Sequence, residues 1–101
     1  MTENELSKIV FDVGLKIHKK LGPGLFETVY EELKIENAFR IDILVESKLI
    51  LEIKAVEYIN PSHKAQLLTY LKMTNCKLGL LINFNEETFK SGVTRVINGY
   101  F

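Results

Sequence analysis

The chain has 101 residues, 47% of them hydrophobic and 26% charged, which suits one folded domain and not two. Thirteen basic and thirteen acidic residues cancel, so no global basic field announces nucleic acid, and a polyanion would have to be met by a local patch or through metal ions. The single cysteine, Cys76, excludes a disulfide within the chain and any cysteine-based zinc site.

The N-terminal MTENELSK is polar and acidic, unlike a signal peptide. The apolar runs fall far short of the ~20 residues that span a bilayer. The expected location is the cytoplasm, a reducing compartment that suits a lone thiol.

Residues 5–20 carry Leu6, Ile9, Val10, Val13 and Ile17 at helical spacing, which predicts an amphipathic helix with that stripe as its apolar face. Thr2 and Glu5 have the spacing of a capping box. LGPG, residues 21–24, ends the helix. A second helix is predicted over 25–36, with Phe26, Val29, Tyr30 and Leu33 on one face.

The period then changes to two. In FRIDILVESKLILEIKAVE, Ile41, Ile43 and Val45 alternate with Arg40, Asp42 and Leu44, and Leu49, Leu51, Ile53 and Ala55 alternate with Lys48, Ile50, Glu52 and Lys54. This is an antiparallel hairpin turning at Glu46-Ser47-Lys48. Asn60-Pro61 opens a helix that runs to about Thr74, with Asn60 as cap and Pro61 at the first position. KLGLLINF, residues 77–84, is a buried strand, and Asn85 with Glu86 and Glu87 predicts a last helix over 86–98. The fold class is α/β, a small mixed sheet of about three strands flanked by helices. The chain forms a single domain, 1–101.

Parity in the hairpin decides what its polar residues can do. Residues directly opposite in an antiparallel pair share a face. With a three-residue turn, Val45 opposes Leu49 and Asp42 opposes Glu52, while Lys54 lies on the same face one repeat away. A two-residue turn would send Asp42 and Glu52 to opposite faces. The opposing register puts the two Cβ atoms about 5 Å apart, where carboxylates repel unless a cation lies between them. Mg²⁺ or Mn²⁺ accepts such oxygen ligands. The competing reading is a surface ladder in which Lys54 neutralises the two acids and no metal binds.

The wider constellation of motifs bears on that choice. HKKLGPG precedes GLFETVY, a G-x-x-E-x-x-Y pattern over residues 24–30. FRIDILVESKLILEIKAVE and HKAQLLTYLKMTNCKLGLLINFN follow in order. This combination resembles the GxxExxY protein family, a group within the PD-(D/E)XK nuclease superfamily. The resemblance implies a restriction-endonuclease-like core, αβββαβ, and Mg²⁺-dependent cleavage of DNA or RNA. It matches Asp42 to the hairpin aspartate, Glu52 and Lys54 to the E-x-K, Glu27 to the acidic residue of the preceding helix, and Gln66 and Tyr70 to a Q-x-x-x-Y helix. Asp42, Glu52 and the carbonyl of Ile53 would then hold the metal.

One departure from the family pattern concerns the spacing. Only Glu31 to Ala38 separate the ExxY helix from the F-R-x-D strand, where relatives carry a further strand. A three-stranded sheet with an open edge follows, and a homodimer that covers it. Two function classes therefore stand: a metal-dependent nuclease, and a non-catalytic module that binds nucleic acid or a protein on a degenerate nuclease fold.

Among other residues, His18 reads as a structural histidine on the flank of the first helix's stripe. His63 shares a face with Gln66 and Tyr70, which makes it either a rim residue or a solvated helix start. Lys16, Lys19 and Lys20 form a small basic cluster, read either as a nucleic-acid contact or as a solvated face.

Overall fold

The computed structural model of the chain describes residues 1–21 and 41–99. The predicted second helix, with the GLFETVY motif and Glu27, lies outside the described residues. Helix α1 (Glu3–Leu21) is followed by strands β1 (Ile41–Val45) and β2 (Leu49–Lys54), helix α2 (Pro61–Thr74), and strands β3 (Leu78–Asn83) and β4 (Val93–Ile97). The strands form one mixed sheet in the order β1-β2-β3-β4. The two hairpin-like pairs are antiparallel, and β2 and β3, joined through α2, are parallel, as a helical crossover allows. No described helix is long and apolar enough to cross a membrane.

Helix α1 starts at the expected capping box. The Glu5 amide donates to Thr2 Oγ1 at 3.2 Å, and the Thr2 amide donates to Glu5 Oε1 at 3.2 Å. The backbone bond from Thr2, then its hydroxyl, holds the Glu5 carboxyl below its usual range. The apolar stripe of α1 is only half as predicted. Leu6 and Val10 pack on the sheet, but Ile9, Val13 and Ile17 are 47%, 51% and 39% exposed. The helix is turned so that Ser7, Gly14 and His18 also face inward. Gly14 explains the rotation. A Cβ there would stand 2.2 Å from Cζ of Phe89, so the buried Phe89 ring fits only against a bare helix backbone. His18 is 5% exposed, donates through Nε2 to the Glu86 carbonyl at 2.7 Å, and lies against Phe84 and Phe89. It is a structural histidine, as expected.

The sheet separates two cores. On the α1 side, Leu49, Leu51, Leu78, Leu80 and Ile82 pack with Leu6 and Phe89. On the α2 side, Ile50 and Leu81 pack with Leu67, Leu71 and Cys76. Helix α2 begins at Asn60 and Pro61 as predicted. It closes on Asn75 in the left-handed conformation (φ 57°), with Cys76 N donating to Leu71 O at 2.9 Å.

Two expectations need correction. Residues 86–98 do not form a helix. A short 3₁₀ turn, Lys90–Gly92, leads into β4. The sheet consequently has four strands among the described residues, not three; the added strand pairs with β3, and β1 is terminal in the strand order, at the edge on which the expectation of a homodimer rested. The β-branched residues of VTRVI suit a pleated strand better than a helix, and pairing with β3 overrides the cap signal at Asn85.

The hairpin turn has the predicted length and register, with Val45 opposite Leu49 and Asp42 opposite Glu52. Its tightness requires positive φ at two residues with side chains, Glu46 (50°) and Ser47 (58°). Such residues are disfavoured by roughly 1–2 kcal/mol each relative to glycine. Ser47→Gly is therefore expected to stabilise the fold by about 0.5–1 kcal/mol, after the entropy that glycine adds to the unfolded chain. Urea denaturation with an unchanged m-value is the check.

Candidate functional site

Strand β2 is an apolar strand carrying two charges. Leu49, Ile50 and Leu51 are buried, and so are Glu52, at 0% exposure, and Lys54, at 8%. Burial of this degree is unusual for either residue type outside a paired or functional setting. Ile53, between them, turns its side chain toward the α1 core. By strand alternation Glu52 and Lys54 share the α2 face with Ile50. Their parallel partners on β3 are Leu81 and Asn83. Asp42 stands directly opposite Glu52 on β1, so the register places two acidic residues at adjacent positions of neighbouring strands. Glu52 takes part in at least one polar or electrostatic interaction.

Helix α2 covers this face. Tyr70 is half-buried against the α2-side core and borders a groove of about 230 Å³ with Leu44, Ile50 and Met73. Gln66, one turn earlier, is exposed. The two thus share a helix face as predicted, but only Tyr70 packs on the sheet.

The N-terminus of α2 lies beyond the end of β2, since the chain runs from Lys54 through six residues into the helix. There His63 completes a reciprocal cap. Its amide donates to Asn60 Oδ1 at 3.2 Å, and its ring Nδ1 accepts from the Asn60 amide at 3.1 Å. Accepting at Nδ1 leaves the neutral ring's proton on Nε2. Partial burial first, and the positive charge of Lys54 second, hold the His63 imidazolium below its ordinary pKa.

Sequence reasoning missed Asn83. It is 1% exposed and closes β3 opposite Lys54. Its Oδ1 accepts from the amides of Val56 (3.1 Å) and Asn85 (3.2 Å), and its Nδ2 donates to the Val56 carbonyl at 2.8 Å. The side chain thus fixes the backbone two residues after Lys54. The one signal in the sequence was an amide at the inward register of an otherwise apolar run, LGLLIN.

With this geometry in view, a sequence model of the PD-(D/E)XK nuclease superfamily matches residues 30–96, about two thirds of the chain. The chain belongs to the PD-(D/E)XK nuclease superfamily. The matched span contains Asp42, Glu52, Lys54, Gln66 and Tyr70, and it begins at Tyr30, the last residue of GLFETVY. No curated protein and no solved structure matches the chain.

Members of this superfamily typically use a divalent metal. The donors on offer are oxygen only: an acidic residue at each of two opposed register positions, and the peptide carbonyl between Glu52 and Lys54. That set suits a hard cation such as Mg²⁺ or Mn²⁺. Among the described residues no cluster of three or more His, Cys, Asp or Glu side chains offers an alternative centre.

Asn83→Ala leaves the Val56 and Asn85 amides without their side-chain acceptor, the Val56 carbonyl keeping only the longer bond from Asn85 Nδ2, and is expected to destabilise the fold by about 1–3 kcal/mol in urea denaturation. His63 gives a pH signature. Because its folded pKa is depressed, its contribution is present above the unfolded value of about 6.5 and is lost as pH falls through the folded value. The melting temperature of the wild type should drop between pH 7.5 and 5.5 by more than that of His63→Gln, whose amide retains the reciprocal cap.

Proposed function

We propose that the protein is a Mg²⁺- or Mn²⁺-dependent nuclease that hydrolyses phosphodiester bonds in DNA or RNA. The observation that carries this reading is the register of Asp42 opposite Glu52, with Lys54 buried on the same face at the end of the parallel pair. Glu52 and Asp42 would hold the cation, together with the carbonyl of Ile53. The bound ion would supply a Lewis acid and a water acidified toward hydroxide.

The remaining roles fall to the chain itself. Lys54 brings a positive charge to the scissile phosphate from a site with little competing solvent, where its attraction is strong. Its position suits this task because ligands bind beyond the C-terminal ends of parallel strands, and the N-terminus of α2, which follows β2, favours an anion. His63, neutral with its proton on Nε2, offers a hydrogen-bond donor at the rim. Tyr70 packs on the α2-side core, and Gln66 reaches solvent from the same helix face, where it can contact substrate. Glu27 is carried by the family resemblance alone and would assist the acidic pair.

The alternative, a module that binds without cutting, keeps the same fold and predicts a different response. Thermal unfolding with added Mn²⁺ separates the two steps of the reading. A ligand that binds only the folded chain stabilises it, by about 2.7 kcal/mol at a hundredfold excess over Kd. The wild type should rise in melting temperature with Mn²⁺, and Asp42→Asn should not. With Mn²⁺ present, Lys54→Ala should lower cleavage of a labelled oligonucleotide by 10²-fold or more. A wild type indifferent to Mn²⁺ sinks the metal assignment. A metal response without cleavage of DNA or RNA sinks the enzyme and leaves the module.

A further inference from the structure

The opposite face of the sheet carries a second feature. Between the first half of α1 and β4 runs a groove of about 520 Å³. Three cations line it: Lys8 on the helix, Lys90 in the 3₁₀ turn and Arg95 on the strand. Among the described residues no carboxylate lines the groove. In a chain whose formal charge is zero, the groove thus gathers three positive charges along one described lining.

The groove is also shaped and ordered. Arg95 Nη2 donates to Asn4 Oδ1 at 3.0 Å, which ties strand to helix across one end and orients the guanidinium. Ser7, 7% exposed, places a hydroxyl at the wall. The floor is apolar, formed by Leu80 and by the half-buried ring of Phe11, which is itself braced edge-on against Phe89 with centroids 5.1 Å apart. A basic rim over an aromatic floor is the combination that holds single-stranded nucleic acid, where phosphates meet the cations and bases lie on the ring. The volume falls within the range of small-ligand sites, large enough for one nucleotide unit.

We propose that the α1–β4 groove is a binding track for single-stranded nucleic acid, separate from the acidic site on the α2 face. The choice of nucleic acid over other polyanions rests on the nuclease reading above. The groove itself does not, since Lys8, Lys90 and Arg95 share no residue with that site and lie across the sheet from it.

The test measures fluorescence anisotropy of a labelled single-stranded oligonucleotide in EDTA, so that neither metal nor cleavage is needed. The triple variant Lys8→Gln, Lys90→Gln, Arg95→Gln should bind at least tenfold more weakly. The slope of log K against log salt should flatten by about 2, the value for three phosphate contacts on a single strand. Lys16→Gln, Lys19→Gln, Lys20→Gln removes the same charge elsewhere on α1 and should have a much smaller effect. Arg95→Lys, which keeps the charge, should bind within a few-fold of wild type. Melting temperatures of all variants confirm that the fold is intact. Equal losses in the two triple variants, an unchanged slope, or equally tight binding of poly-glutamate to the groove would each overturn the proposal. If the wild type binds in this way but cuts no oligonucleotide once Mn²⁺ is supplied, the nuclease reading fails and the groove stands.

Discussion

Strand β2 is enclosed on both sides, by the α1 core on one and by α2 on the other, and paired along both edges. That enclosure is the constraint on which the rest of the structure depends. A strand so placed is expected to be apolar throughout, and for Leu49, Ile50 and Leu51 it is. Glu52 and Lys54 break the rule at its last two inward positions on the α2 face. Burying an unsupported charge in such a place is strongly unfavourable. Polar residues stand at register positions beside them, an aspartate across the hairpin and Asn83 on the neighbouring strand, and the capped start of α2 follows in the chain.

The supports are layered. The hairpin turn sets parity, because three residues rather than two make Asp42 and Glu52 partners. The parallel pairing of β2 and β3 sets depth, because it aligns Lys54 with Asn83. Asn83 then holds the chain leaving β2, and the Asn60–His63 cap holds the chain entering α2. Each device fixes backbone rather than side chain, which is how a small domain places two charges without a large polar network around them.

The hairpin and its acidic pair were legible in the sequence because alternation over FRIDILVESKLILEIK is long, and because only one parity buries the aliphatic set together. The crossover helix was legible from Asn60-Pro61. The last strand was not, since Asn85, Glu86 and Glu87 imitate a helix start. What overrides them is non-local: β3 needs a second partner, and Val93, Thr94, Val96 and Ile97 fit beside it. The inward face of α1 was half legible. Hydrophobic periodicity counts large residues, whereas Phe89 selects Gly14 for having no side chain at all. Asn83 went unread for a similar reason, because its partners are the main chain of a loop that no local pattern reveals.

The order of strands in the sheet has an entropic corollary. The β1–β2 pair joins neighbours in sequence, whereas β2 and β3 are brought together across α2, a longer closure that costs more chain entropy. Without that second pairing Glu52 and Lys54 would lie on an open hairpin face in contact with water. Their removal from solvent is thus tied to the costlier of the two closures.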